Sequence, residues 1–205
     1  MGNVQDELRK KWKSGMKEAL HNAVVKVLAE DGLQGLTVDR ITSAAGIGKG
    51  TVYNYFKDKS DLLQHVVRAS MEPLEKEHAK LFASDLAPPQ KLKTFVLVTL
   101  KFFDKNRAFF RVLLDQELSG PRMSRERKNH YRKLISNISG IFEDGIEGGF
   151  FRPAPPKKLA AMLMMSCASI ARGRLWNEDF SPIEDDANLV IEVFFKGIGK
   201  GGCKK

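Results

Sequence analysis

Between residues 37 and 59 the chain reads TVDRITSAAGIGKGTVYNYFKDK, and its side chains suit phosphates and base edges better than covalent chemistry. Lys59 is a cation for a phosphate oxygen. Tyr53 and Tyr55 each offer a ring to bury and a hydroxyl to present to a phosphate. Thr51 and Asn54 carry short polar groups of the kind that distinguish one base edge from another. No Ser/His/Asp or Cys/His arrangement has a recognisable context. No metal-ligand cluster or phosphate-binding glycine loop is visible, so no cofactor is expected and catalysis finds little support.

The elements that would position these groups follow from the same residues. Thr37 is a plausible helix N-cap, since its hydroxyl can accept from an unpaired backbone N–H. Val38, Ile41 and Ala45 then share one face at helical spacing. Arg40 stands where a capping-box Glu or Gln would strengthen that start. Gly46 supplies a sharp turn, where a left-handed backbone is cheap for glycine. A second helix is expected from about Gly48 to Phe56. Its i,i+4 pair Val52 and Phe56 faces inward, which turns Gly50 and Asn54 outward. Glycine on an outer face is poor helix chemistry, but it lets something bulky approach the backbone, as a groove wall does. Asp58 can cap the next helix, with Lys59 in its first turn, where N–H groups and a cation together can hold a phosphate. Two short helices joined by a tight turn make a helix-turn-helix, which seats its second helix in the DNA major groove.

The segment resembles the N-terminal DNA-binding domain of the TetR family of transcriptional regulators. The resemblance rests on Gly32 and Thr37, on Ala44-Ala45-Gly46, on the run from Gly48 through Phe56, and on Lys59 and Leu62-Leu63. It implies DNA contacts at Thr37, Lys49, Gly50, Thr51, Tyr53, Asn54, Tyr55 and Lys59. Gly48 stands where many members have serine, which removes one phosphate-binding hydroxyl.

The 205 residues can bury a real core. A net charge of +9 suits a polyanionic partner, yet only +3 of it lies in residues 1–60. Basicity therefore supports DNA binding only weakly. Two cysteines, Cys167 and Cys203, make no disulfide framework, and the polar N-terminus lacks a signal-peptide core. The longest apolar run is too short to span a bilayer. These features predict a soluble, cytoplasmic protein with no membrane partner.

Helical periodicity continues to the end. One helix is expected from Lys59 to about Phe82, with Pro73 inside it as a kink. The next carries Leu92, Phe95, Val96, Thr99, Phe102 and Phe103. A shorter one carries Phe109, Phe110, Leu113, Leu114 and Leu118, before a break at Gly120-Pro121. Another begins at Ser124, with Tyr131, Leu134, Ile135, Ile138, Ile141 and Phe142 inward, and stops at Gly148-Gly149. The last two span residues 156–176 and about 183–198. The fold class is all-α: an N-terminal three-helix helix-turn-helix domain (12–60), then a helical ligand-binding and dimerisation domain (61–198), then a flexible basic tail (199–205).

The resemblance implies that the second domain binds a small molecule of unknown identity and forms a homodimer through 156–176 and 183–198. Mixed small and large residues on the first of these helices allow close packing. Phe102, Phe103, Phe110, Phe142, Met162 and Met165 would suit an apolar pocket, although such residues at helical spacing also describe plain core. Arg174 could anchor a ligand or belong to an ion pair. Cys167 could sense redox state, though a buried apolar thiol is usually inert. The basic run at 122–133 reads best as a solvated face. The expected function is a dimeric regulator, a repressor released from a palindromic operator by a small apolar or amphipathic molecule. The alternative is a sequence-tolerant DNA-structuring or division-control protein on the same fold.

Overall fold

The computed structural model describes residues 2–32, 34–107, 109–111, 125–176 and 181–198. The tail at 199–205 with Cys203, the expected helix positions Leu113, Leu114 and Leu118, and the break at Gly120-Pro121 lie outside the described residues. The helices are α1 (Gly2–Asp31), α2 (Val38–Ala45), α3 (Lys49–Tyr53), α4 (Lys59–Phe82), α5 (Pro88–Lys105), α6 (Arg125–Glu147), α7 (Pro156–Trp176) and α8 (Ile183–Ile198), with further helical residues at 107 and 109–111. No strand occurs among the described residues. The chain forms two compact units, Met1–Pro73 and Leu74–Lys205, and α4 is continuous through both. The sequence places its domain boundary earlier, between residues 60 and 61.

In the first unit α1 packs on α2 and α2 on α3. Met16, Leu20, Ala23, Val24, Val27 and Leu28 form the buried stripe of α1. Leu36, Ile41, Val52 and Phe56 are buried as well, together with Leu62 and Val66 from the start of α4. Gly32 closes α1 at φ +61, and its N–H bonds the Leu28 carbonyl at 3.1 Å. α1 runs back to Gly2, through the polar stretch that precedes residue 12.

In the second unit α5 packs on α6, α7 and α8, and α6 packs on α7. Its core includes Phe95, Leu92, Leu100, Ile138, Phe142, Phe151, Leu163 and Val190. Tyr131 corrects the expected inward face of α6: it is exposed, as are its neighbours from Lys128 to Lys133. The apolar period on that helix becomes burial only from Leu134 onward. Gly145 lies where α6 meets the chain that follows it. The N–H groups of Phe150 and Phe151 both bond its carbonyl, at 2.8 and 3.0 Å. The Phe151 ring lies where a Gly145 Cβ would be, 2.2 Å away.

Two polar features sit inside this unit. The Arg174 side chain is only 11% exposed, and its guanidinium donates to Asp104 at 3.1 Å, to Asp186 at 2.6 Å and to the Ser181 carbonyl at 2.9 Å. It thus joins α5, α7 and the start of α8. His78 is buried, with its ring 4.6 Å from that of Phe95. Its Nε2 lies 3.0 Å from Thr99 Oγ1, which itself donates to the Phe95 carbonyl at 2.7 Å. The Thr99 proton is therefore committed, and His78 must donate through Nε2 as a neutral imidazole.

Burial, aided by the charge of nearby His130, pushes the His78 pKa down to about 4 from an ordinary 6.5. Between those values the unfolded chain holds a proton that the folded chain refuses. The contribution of His78 is therefore complete above pH 6.5 and is lost as pH falls towards 4. Urea titrations should show roughly 2–3 kcal/mol of acid-dependent loss across that window. In His78→Leu that component should be missing; an unchanged pH slope would refute the assignment.

Candidate nucleic-acid interface

The helix-turn-helix is assembled by local bonds that the sequence specifies. Thr37 is extended (φ −109, ψ 156), and its Oγ1 accepts from the Arg40 N–H at 3.2 Å, so it caps α2. Gly46 takes the left-handed conformation at φ +65, and its N–H bonds the Ser43 carbonyl. Thr42 is buried, and its hydroxyl donates to the Asp39 carbonyl. Gly48 occupies the N-cap of α3 without a side-chain bond.

α3 is shorter than expected. It ends at Tyr53, with Asn54 at its C-cap, and does not reach Phe56. Phe56 is nevertheless buried beside Val52, because its N–H still bonds the Val52 carbonyl at 2.9 Å. The inward pair is therefore kept although the helix stops one turn early. Lys49, Gly50 and Asn54 are exposed, Tyr53 is 50% exposed, and Thr51, Tyr55 and Lys59 are half-buried. A Cβ on Gly50 would meet nothing within 4 Å. The protein itself therefore gives no packing reason for glycine there.

α4 opens with reciprocal acidic caps. Asp58 Oδ1 accepts from the Asp61 N–H at 2.8 Å, and Asp61 Oδ2 accepts from the Lys57 N–H at 3.1 Å. Lys59 lies between these two carboxylates in sequence. Behind this turn the Phe56 ring packs on His65, with centroids 5.3 Å apart.

Two ion pairs at the start of α2 were not legible in the sequence. Arg40 reaches back to Asp31 at 2.6 Å, which fastens α2 to the end of α1. Asp39 holds the Lys49 Nζ at 2.6 Å, which fastens α2 to α3. The Asp39 carboxylate, by hydrogen bond and charge, holds the Lys49 pKa above its ordinary value. Lys49 is thus charged and engaged in the DNA-free protein.

The candidate pocket residues do not gather in one place. Phe102, Phe103 and Phe110 do come together with Phe109; ring centroids are 4.7 Å apart for Phe103–Phe110 and 5.8 Å for Phe102–Phe110. Phe142 is fully buried and packs on Phe151 instead. Met162 and Met165 face outward, 59% and 58% exposed. Leu189 and Val193 on α8 are similarly open, at 53% and 62%. An apolar groove of about 280 Å³ runs between α7 and α8, lined by Ser166, Ser169, Ile170, Leu189, Val190, Val193 and Phe194. Cys167 is buried, and desolvation pushes its thiol up to about 12. That suppresses the thiolate a redox sensor needs.

A capped helix, a left-handed glycine turn and a short helix with its polar side open define a helix-turn-helix DNA-binding protein. Residues 20–66 match the family model described as bacterial regulatory proteins, tetR family. That segment carries the N-terminal DNA-binding motif of the TetR family of transcriptional regulators. An uncharacterised HTH-type transcriptional regulator of Bacillus subtilis, YhgD, is 23% identical over 186 residues, covering 89% of this chain and 96% of that protein. The fatty acid metabolism regulator protein of Bacillus subtilis is 27% identical over 185 residues, covering 86% and 92%. Among solved structures, the Bacillus subtilis regulator FadR in complex with stearoyl-CoA aligns with a TM-score of 0.75 at 21% identity, covering 88% and 98%. These relatives are transcriptional regulators, not enzymes. Among the described residues no helix is long and apolar enough to cross a membrane.

Proposed function

We propose that the protein is a cytoplasmic, homodimeric repressor that leaves a palindromic operator when its second domain takes up a small apolar or amphipathic molecule. The observation that carries the reading is the asymmetry of α3. Val52 and Phe56 are buried, while Lys49, Gly50 and Asn54 are exposed with no packing role for Gly50. In this reading residues 12–60 bind DNA and residues 61–198 bind ligand and partner. Thr37, Lys49, Tyr53, Tyr55 and Lys59 hold phosphates, Thr51 and Asn54 read bases, and Gly50 lets the groove approach.

The open faces of α7 and α8 support the dimer. Met162 and Met165 on α7 are exposed, Leu189 and Val193 line an apolar groove, and a second copy related by a two-fold axis would cover them. Such a dimer matches a palindromic site. The cluster of Phe102, Phe103 and Phe110 is the best-supported place for the apolar part of a ligand. An acyl-CoA thioester has the right chemistry, as one long chain joined to a polar head. The solved relative that holds stearoyl-CoA and the relative named for fatty acid metabolism support that choice.

The test is selection of bound duplexes from a random library at moderate salt, followed by titration of the selected site with stearoyl-CoA. A palindromic consensus bound by two subunits and released by acyl-CoA is expected. Weak, salt-steep binding without a consensus would replace the operator reading with the DNA-structuring one. Release must be reciprocal, with operator DNA weakening acyl-CoA binding by the same factor.

Substitutions sort the contacts. Tyr55→Phe and Lys59→Ala should weaken binding to all sequences, and Lys59→Ala should flatten the salt dependence by about one unit of log–log slope. Changes at Thr51 or Asn54 should instead alter the selected consensus. Gly50→Ala should keep or raise the melting temperature, since alanine favours a helix by about 1 kcal/mol. It should still weaken operator binding roughly tenfold or more, equivalent to about 1.4 kcal/mol. Wild-type affinity in Gly50→Ala would show that no groove wall comes close there.

A further inference from the structure

The Asp39–Lys49 pair places a carboxylate beside the first cation of the recognition helix. Asp39 lies in the first turn of α2, is exposed, and is 2.6 Å from Lys49 Nζ at the first residue of α3. Both partners are exposed, as are Thr37 and Gly50. The pair ties α2 to α3, but it is not the only bond that holds α2 in place. α2 already has its cap from Thr37 and its tie to α1 from Arg40.

We propose that Asp39 is a specificity-determining residue: its carboxylate competes with DNA phosphate for the Lys49 ammonium and disfavours duplexes whose bases do not compensate it. The inference rests on the DNA-binding reading above. Sequence-independent binding is driven by cations neutralising phosphates. An anion on the binding face opposes that drive on every duplex, because it withholds one lysine and repels the backbone. On a cognate site the opposition is relieved, since a carboxylate can accept from the exocyclic amine of cytosine in the major groove. The result is a lower floor of non-specific binding with little loss on the operator. That ratio is what lets a regulator find its site among competing DNA.

The test compares wild type with Asp39→Asn on the library-selected operator and on a random duplex, each at two salt concentrations. Asp39→Asn should bind the random duplex about three- to tenfold more tightly, with a log–log salt slope steeper by about one. Operator affinity should rise less, so the specificity ratio falls. In a Lys49→Ala background the gain should shrink, because the competition runs through Lys49. Asp39→Ser repeats the comparison with a different neutral side chain, so poor folding of one variant does not decide the outcome. If wild type binds DNA but both neutral variants match its affinities and ratio, the inference fails alone. A gain of equal size without Lys49 also overturns it. If wild type binds neither duplex, the DNA-binding reading fails and takes this inference with it.

Discussion

Val193→Glu should convert the protein to a monomer at micromolar concentration and reduce operator affinity by more than a hundredfold. Val193 is 62% exposed, at the edge of the groove between α7 and α8, so a glutamate there costs the isolated subunit little. In a two-fold dimer the same substitution appears twice in one interface. Two carboxylates would lose water with no cation provided, a penalty of several kcal/mol for each ion. A monomer has one recognition helix where a palindrome needs two, so DNA binding falls with dimerisation. Sedimentation velocity gives the oligomeric state, and a melting curve shows that the subunit still folds. A variant that remains dimeric would place the interface elsewhere.

Gly145→Ala should destabilise the second unit by about 3 kcal/mol, the upper end of ordinary overpacking. An added Cβ would lie 2.2 Å from Phe151 Cε2 and 3.2 Å from Pro88 Cβ. The Phe151 ring has nowhere to retreat, since it is buried and its centroid lies 5.9 Å from those of both Phe142 and Phe195. The melting temperature should fall by roughly 10 °C. Gly140 is the control on the same helix: a Cβ there meets nothing within 4 Å. Gly140→Ala should therefore be neutral or stabilising by up to about 1 kcal/mol. Equal effects at both sites would show that helix propensity, and not the ring, governs Gly145.

Short-range features were legible in the sequence because their physics is local. The Thr37 cap, the left-handed Gly46 and the Asp58 cap each involve residues within three or four positions. The bounds of α4 and α7 followed from caps and prolines in the same way. The end of α3 was misjudged because Val52 and Phe56 have helical spacing and are both buried, whereas the chain between them leaves the helix at Asn54. Apolar spacing reports burial, and burial does not require a continuous helix. Tyr131 failed for the opposite reason, as the spacing runs on into turns that nothing covers.

What the sequence hid were partnerships between elements. Thr99 could be placed on the inner stripe of α5, but its histidine partner lies 21 positions away on α4. The hint was a histidine four residues after Leu74 on the buried face of an amphipathic helix. Lys49 was legible as a DNA contact, but no local spacing pointed to Asp39, ten positions earlier on another helix, as the group that holds it. The cluster around Arg174 joins residues 70 positions apart and left no periodic trace.

That cluster also makes ionic strength an experimental lever. Added salt screens the exposed lysines of the DNA-binding unit and dilutes the gain from counterion release. Arg174 is only 11% exposed and is surrounded by Asp104, Asp186 and the Ser181 carbonyl, so dissolved ions reach it poorly. Raising salt should therefore empty the DNA site long before it loosens the packing of α5, α7 and α8. A salt titration can separate variants that have lost grip on the operator from variants whose second unit has come apart.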